Sequence, residues 1–292
     1  MKKLFLFVIN LVFITNVYSQ TEKLRNEITE YLKGKDLKAG ISFFSFSNGD
    51  TLSINGDDFF PMQSVFKFHI GLAILNKADK GELNIEDKIL IKKEDLKENT
   101  WSPIREINPE GNFSLTIAEL LSYSVSESDN NACDILIEIA GGTEKIQKYF
   151  DDIGLKDFYI VANEYEMHQD WETQFRNKTT PKSSTEIIKK IYSDNLFSKK
   201  SFDYLYKIMT ETKTGQKRIK EQLPEGSIIG HKTGTSGKND GIIAAVNDIA
   251  FISLPNGFKY ILSVYLTDSK LDYPEAEKVM SDISKIISDY YK

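Results

Sequence analysis

Residues 227–235, Ser227-Ile228-Ile229-Gly230-His231-Lys232-Thr233-Gly234-Thr235, read as a β-strand with a polar motif at its end. Two more β-branched and aromatic runs follow, 243–254 and 260–267, joined by the turn Pro255-Asn256-Gly257. Pro274 then opens a helix over 275–291, whose Val279, Ile283, Ile286 and Ile287 share one face. The other end of the chain has matching pieces. A helix over 22–32 stops at Gly34, and runs 39–46 and 51–54 flank Asn48-Gly49-Asp50, a strong hairpin signal. Between the two ends the period is helical, most clearly over 65–80, 117–123, 130–140, 142–153 and 184–192. Strands at both ends with helices between them imply one sheet completed by the C-terminus. The predicted class is α+β, an α/β sandwich of about five antiparallel strands flanked by N- and C-terminal helices, with an inserted all-helical subdomain and the functional cleft at the junction. The expected units are 20–62 with 211–292 for the sheet, and 63–210 for the insert.

The bulk figures narrow the chemistry by exclusion. The 292 residues are 40% hydrophobic and 27% charged, which excludes collagen-like and disordered chains. A net charge of -6 argues against nucleic acid, because phosphate binding needs a basic footprint. The lone Cys133 excludes an intrachain disulfide and sits in an apolar helical run as filler. His69, His168 and His231 have no ligand-like spacing, so neither a metal nor another cofactor is expected. At the N-terminus Lys2 and Lys3 precede an apolar run, Leu4 to Ile14, and then Val17-Tyr18-Ser19. This is the anatomy of a signal peptide cleaved after Ser19, and the run is too short to span a bilayer comfortably. A secreted or periplasmic protein without a membrane anchor is expected, and a monomer.

Three motifs carry chemistry. Ser64-Val65-Phe66-Lys67 sets a hydroxyl and an amine on one face at the start of an apolar helix, so Lys67 can accept or relay the Ser64 proton. The helix N-terminus favours a developing oxyanion there. Ser128-Asp129-Asn130, between two helices, offers a second hydroxyl and an amide. Lys232-Thr233-Gly234-Thr235 offers a cation and hydroxyls suited to a substrate carboxylate, with Gly234 letting a ligand approach the backbone. Ser193-Asp194-Asn195 and Lys213-Thr214-Gly215 repeat two of the patterns, but neither has the flanking helix or strand that the pattern requires.

In this order the three motifs resemble those of the penicillin-recognising serine enzymes, and of class A β-lactamases in particular. The resemblance spans essentially the whole chain after the leader. It implies hydrolysis of a β-lactam by an acyl-enzyme on Ser64, with the N–H groups of Ser64 and Thr235 as oxyanion hole. Ser128 would pass a proton to the lactam nitrogen. Asn130, Lys232, Thr233, Gly234 and Thr235 would hold the substrate, with Trp101 at the lip of the pocket. Glu164, in the segment Asn163-Glu164-Tyr165-Glu166-Met167-His168, matches the glutamate that activates deacylating water; Glu166 is the exposed alternative. Whether Lys67 or Glu164 is the acylation base stays open. Thr214-Gly215-x-x-Arg218 with Asn247-Asp248 suggests that Arg218 reaches the substrate carboxylate, against an ordinary solvated helix-end charge.

Departures from the pattern point to the extended-spectrum, cephalosporinase-leaning branch. His168 stands where many class A enzymes have Asn, and Ala162 and Asn177 replace the Arg and Asp that usually brace the loop. Gln63 rather than cysteine precedes Ser64, so the disulfide-braced arrangement of some relatives is absent. Two rivals share the serine chemistry: a D,D-peptidase acting on peptidoglycan, and a β-lactam-binding sensor that stays acylated. Glu164 argues against the first, and the lack of a transmembrane link and signalling domain in the sequence against the second.

Overall fold

The computed structural model describes residues 21–194 and 196–292, so the leader expected over 1–19 lies outside the described residues. After helix α1 (21–32) come strands β1 (Lys38–Ser45) and β2 (Thr51–Ile54), a hairpin turned at Gly49 with φ of 79°. Strands β3 (Ile228–Thr235), β4 (Val246–Ser253) and β5 (Lys259–Thr267) belong to the same sheet. Its order is β2-β1-β5-β4-β3, antiparallel throughout, so the N-terminal hairpin is joined to the three C-terminal strands through the β1–β5 pairing and β3 with its polar motif is an edge.

The period of two along β5 sorts its side chains between two cores. Leu262, Val264 and Leu266 pack with Leu24 and Ile28 of α1 and with Val279, Met280, Ile283 and Ile287 of helix α10 (Tyr273–Tyr290). Ile261 and Tyr265 join the opposite core, formed with the inserted helices. Each fully buried Leu or Ile contributes about 1.5–3 kcal/mol. α10 starts where the sequence indicates, on an Asp272 cap, a reciprocal Glu275 contact and Pro274 in the first turn.

The insert contains α2 (Phe66–Asp79), α3 (Pro103–Ile107), α4 (Ile117–Ser126), α5 (Asn130–Ala140), α6 (Thr143–Asp152), α7 (Glu164–Met167), α8 (Pro181–Ser193) and α9 (Lys199–Thr210). Every residue of α2 from Phe66 to Leu75 is buried, so this helix is the axis of the insert rather than an amphipathic surface helix. Three details correct the sequence reading. The insert is not all-helical: Lys88–Ile91 pairs with Phe113–Thr116, and Lys178–Thr179 pairs with both Phe60–Pro61 and Phe158–Tyr159. These pieces of two to four residues are too short for a period to register. α9 has Phe202, Leu205, Ile208 and Met209 on one side, but lysines and tyrosines dilute the pattern. Finally, the run 243–254 is broken, because Ser236 bonds both backbone groups of Ala245 and the long strand begins only at Val246.

Candidate active site

α2 is entered through a single 3-10 turn, Gln63–Val65, which carries Ser64. Gln63 has a φ of 46°, and Ser128 a φ of 61°; left-handed backbone at non-glycine residues costs about 1–2 kcal/mol each. Both strained positions flank the reactive groups. The turn is pressed against β3, and there the structure assigns Gly234 a different purpose from the one expected. A Cβ on Gly234 would lie 2.4 Å from the Met62 carbonyl oxygen, so its bareness admits the chain before Ser64 rather than a ligand. Asn247 on β4 secures the same chain by donating to the carbonyls of Pro61 and Met62 at 2.8 and 3.1 Å.

One turn beyond Ser64, at the start of α2, Lys67 is completely buried. Its ammonium donates to Ser64 Oγ at 2.7 Å, to Asn130 Oδ1 at 2.8 Å and to Glu164 Oε1. An ammonium has three N–H groups, and here each has an acceptor. Ser128, Asp129 and Asn130 diverge from the head of α5. Ser128 Oγ accepts from Lys232 Nζ at 2.9 Å, while Asn130 reaches Lys67. Asp129 turns inward, caps α5 through Ala132 N at 2.9 Å and accepts from Ser102 Oγ and Ile104 N. Lys232 is also fully buried, and its pKa lies well below the ordinary lysine value because of burial first and the Lys67 charge second.

Arg218 is not a solvated helix-end charge. It is 5% exposed, donates to the carbonyls of Gly234 and Asn247 at 3.1 and 2.9 Å and to Thr235 Oγ1 at 2.6 Å, and pairs with Glu277 at 3.1 Å. Beside it Thr214 Oγ1 and Thr233 Oγ1 lie 2.6 Å apart, so the segment that only mimics the strand motif still contributes to the wall. Lys67, Lys232 and Arg218 place three basic side chains around the two serines, with Glu164 bonded to the first and Glu277 paired with the third.

Glu164 heads α7 and is 3% exposed, whereas Glu166 points outward and bonds the Asn163 backbone at 2.9 Å to cap the same helix. The missing Arg–Asp brace is replaced by two other groups. Asn177, fully buried, accepts from Val161 N and Ala162 N at 2.8 and 3.0 Å and donates to the Ala162 carbonyl at 2.7 Å. Asp134 of α5 accepts from Glu164 N and Tyr165 N at 2.7 and 2.9 Å. Burial, and then the nearby Glu164 carboxylate, push the Asp134 pKa up to about 7. Sequence reading passed over Asp134; its only signal is a carboxylate inside an otherwise apolar helical run. His168 Nδ1 lies 2.7 Å from the Glu164 carbonyl, the donor of this pair being the ring. Trp101 is 57% exposed at the rim, its Nε1 donating to the Glu127 carbonyl at 2.9 Å.

These groups enclose a cavity of about 560 Å³, lined among others by Ser64, Trp101, Ser128, Asn130, Glu164, His168, Arg218, Thr233 and Thr235. Lys67 and Lys232 lie behind the lining, in contact with it through Ser64 and Ser128. Cys133 is buried in α5 and its thiol pKa is raised by burial, in keeping with a filler. No cluster of three or more His, Cys, Asp or Glu suited to a metal occurs among the described residues.

A serine bonded to a buried lysine, facing a second serine and lysine and a buried carboxylate that lines the same cavity, defines a serine acyl-transfer enzyme. Residues 23–291 match the β-lactamase enzyme family, and the chain belongs to it, as a class A serine β-lactamase that hydrolyses the β-lactam amide. β-Lactamase VEB-1 of Pseudomonas aeruginosa is 47% identical over 99% of this chain and 98% of its own length. The extended-spectrum β-lactamase PER-1 of the same organism is 36% identical over 91% of this chain and 87% of its own. The crystal structure of the TLA-1 extended-spectrum β-lactamase superposes with a TM-score of 0.91 at 44% identity, covering 93% of this chain and 99% of that one.

Proposed function

We propose that Ser64 is the nucleophile and that Lys67 and Glu164 together move its proton. The observation that carries this reading is the single ammonium bonded to both Ser64 and Glu164. With all three N–H groups engaged, Lys67 accepts the Ser64 proton only after giving one of its own to Glu164. The relay therefore ends with a protonated glutamic acid and a serine oxygen free to attack. The N–H groups of Ser64 and Thr235 stabilise the oxyanion, and loss of one such donor typically costs about 10²–10³ in rate. Ser128, bonded to Lys232, passes a proton to the lactam nitrogen as its bond to the carbonyl carbon breaks, and the proton held on Glu164 returns by way of Lys67 to replace it, which leaves Glu164 a carboxylate. Lys232, Thr233 and Arg218 bind the substrate carboxylate, and Asn130 binds the side-chain amide. Glu164, again a carboxylate, takes a proton from the water that hydrolyses the acyl-enzyme, while His168 holds the loop helix and Trp101 covers the mouth.

PER-1 and TLA-1 are named extended-spectrum enzymes, which supports a spectrum reaching bulky cephalosporins and a role in antibiotic resistance. The charged n-region, apolar run and Ser19 site support export to the periplasm, where the enzyme acts as a monomer. No helix among the described residues is long and apolar enough to cross a membrane. The test is turnover of a chromogenic cephalosporin by the purified protein and by Glu164→Gln. The unmodified enzyme should turn over continuously; the variant should give one stoichiometric burst and a stable adduct on Ser64 by mass spectrometry. A burst from both proteins, or sustained turnover by both, would remove Glu164 from deacylation.

A further inference from the structure

A second cleft, of about 680 Å³, shares no lining residue with the active site. Its floor is the face of β1 and β2 that α8 leaves uncovered, including Ser42, Phe44, Thr51 and Ser53. Although the chain carries a net charge of -6, five cations line this cleft, Arg25, Lys156, Lys182, Lys189 and Lys190, against the three carboxylates of Asp57, Asp157 and Glu186. Three of the cations are already engaged, Lys182 with Asp57 at 2.6 Å, Lys190 with Glu186 at 4.0 Å and Asp194 at 3.6 Å, and Arg25 through one terminal nitrogen with Glu22 at 3.1 Å. Among the described residues Lys156 and Lys189 have no carboxylate partner, and the Lys189 ammonium lies 4.6 Å from the Phe44 ring centroid, on the floor. Two buried donor atoms of the same lining, Arg25 Nε and Ser183 Oγ, find no hydrogen-bond partner among the described residues, and Ser183 is 6% exposed. Buried donors are rarely left without an acceptor.

We propose that this cleft binds a small polyanion of the phosphate class. Two point charges, a guanidinium edge and a hydroxyl supply donors of several kinds, and a phosphate group supplies the many acceptor oxygens that match them. The position has a mechanical consequence. Asp157 and Thr180, which both line the cleft, bracket the segment that carries Glu164, and Thr180 N bonds the Asp157 carbonyl at 3.2 Å. A ligand seated there bridges α8 and the turn at 154–157, and so clamps the base of the catalytic loop.

The probe is inorganic pyrophosphate, titrated at constant ionic strength against sodium chloride and sodium sulfate, with thermal unfolding and amide exchange as readouts. The expected result is a saturable rise in Tm of about 3 °C, together with slower exchange at the two ends of the loop. Lys156→Gln with Lys189→Gln, a neutral pair that keeps a polar tip on a slightly shorter side chain, should weaken binding at least tenfold with basal turnover unchanged. Lys156→Glu with Lys189→Glu should abolish the shift. A rise of equal size with sulfate, or one retained in both paired variants, would mean non-specific ion binding and overturn the proposal, as would no rise at all. Vesicles containing phosphatidic acid form the last arm: free pyrophosphate should compete with them if they bind, since the recessed floor admits a solute before a lipid surface.

Discussion

His69 offers a sharp test of how this fold responds to acid. It lies two residues beyond Lys67 on α2, is completely buried, and stacks on Phe158 at 4.3 Å with Phe150 against its edge. The Val65 carbonyl favours a ring proton, but neither ring nitrogen makes a hydrogen bond. Burial therefore lowers the pKa from 6.5 to about 3. Between those values the unfolded chain binds a proton that the folded chain refuses, so stability falls as pH drops through the window. At pH 5 the unfolded imidazole is protonated 1.5 units below its pKa, a cost of about 2 kcal/mol relative to pH 7, rising to about 4 kcal/mol near pH 3. His69→Phe keeps the aromatic packing and removes the titration. Urea unfolding of both proteins at pH 7 and pH 5 gives a double difference in which every other titrating group cancels. The variant should lose about 2 kcal/mol less than the parent between the two pH values. Parallel losses in parent and variant would refute the reasoning, and would mean that His69 is solvated or charged in the folded state.

Three further outcomes follow from the site. Asn177→Ala removes three hydrogen bonds to the loop backbone and a fourth to Met167 Sδ, and leaves buried backbone groups unpaired, so it should cost about 2–4 kcal/mol and slow deacylation; unchanged burst kinetics and Tm would show that Asp134 suffices as a brace. Gly234→Ala drives a Cβ into the Met62 carbonyl, and nearly complete loss of turnover with the protein still folded is expected; activity within tenfold of the parent would contradict the close approach. Glu164→Gln removes a like charge from beside Asp134, whose pKa should then fall from about 7 but stay above 3.8, burial being the larger cause. Carboxyl ¹³C NMR reads this directly, and a value still at about 7 would show that the two carboxyls do not sense each other.

Much of the site was legible because its parts are local. Ser64 and Lys67 share a helix face by spacing alone, and Lys232 and Thr233 declare themselves on a strand. Asn130 begins a helix that Asp129 caps, a pattern visible in a few residues. The choice of Glu164 over Glu166 came from the resemblance; in the structure Glu164 faces inward and Glu166 caps the helix. The brace stayed hidden, because nothing near Asp134 in the chain marks it as the acceptor for two amides of the Glu164 loop. Gly234 was identified with the wrong reason, since the atom it makes room for belongs to Met62.

By itself the sequence determined the α+β class and the order of the three motifs, because hydrophobic period and capping act over a few residues. It determined the chemistry to the extent that residue type and spacing do so. Only the tertiary structure decided which charges meet. Lys67 and Glu164 are 97 residues apart, and Lys232 and Ser128 are 104 apart. Pairings at that distance depend on how the sheet edge, α2 and the loop pack together, and local periodicity carries no record of it. Burial then does the remaining work. The Lys232 amine and the His69 imidazole, which water would leave near their ordinary pKa values, are both pushed down by burial inside this core.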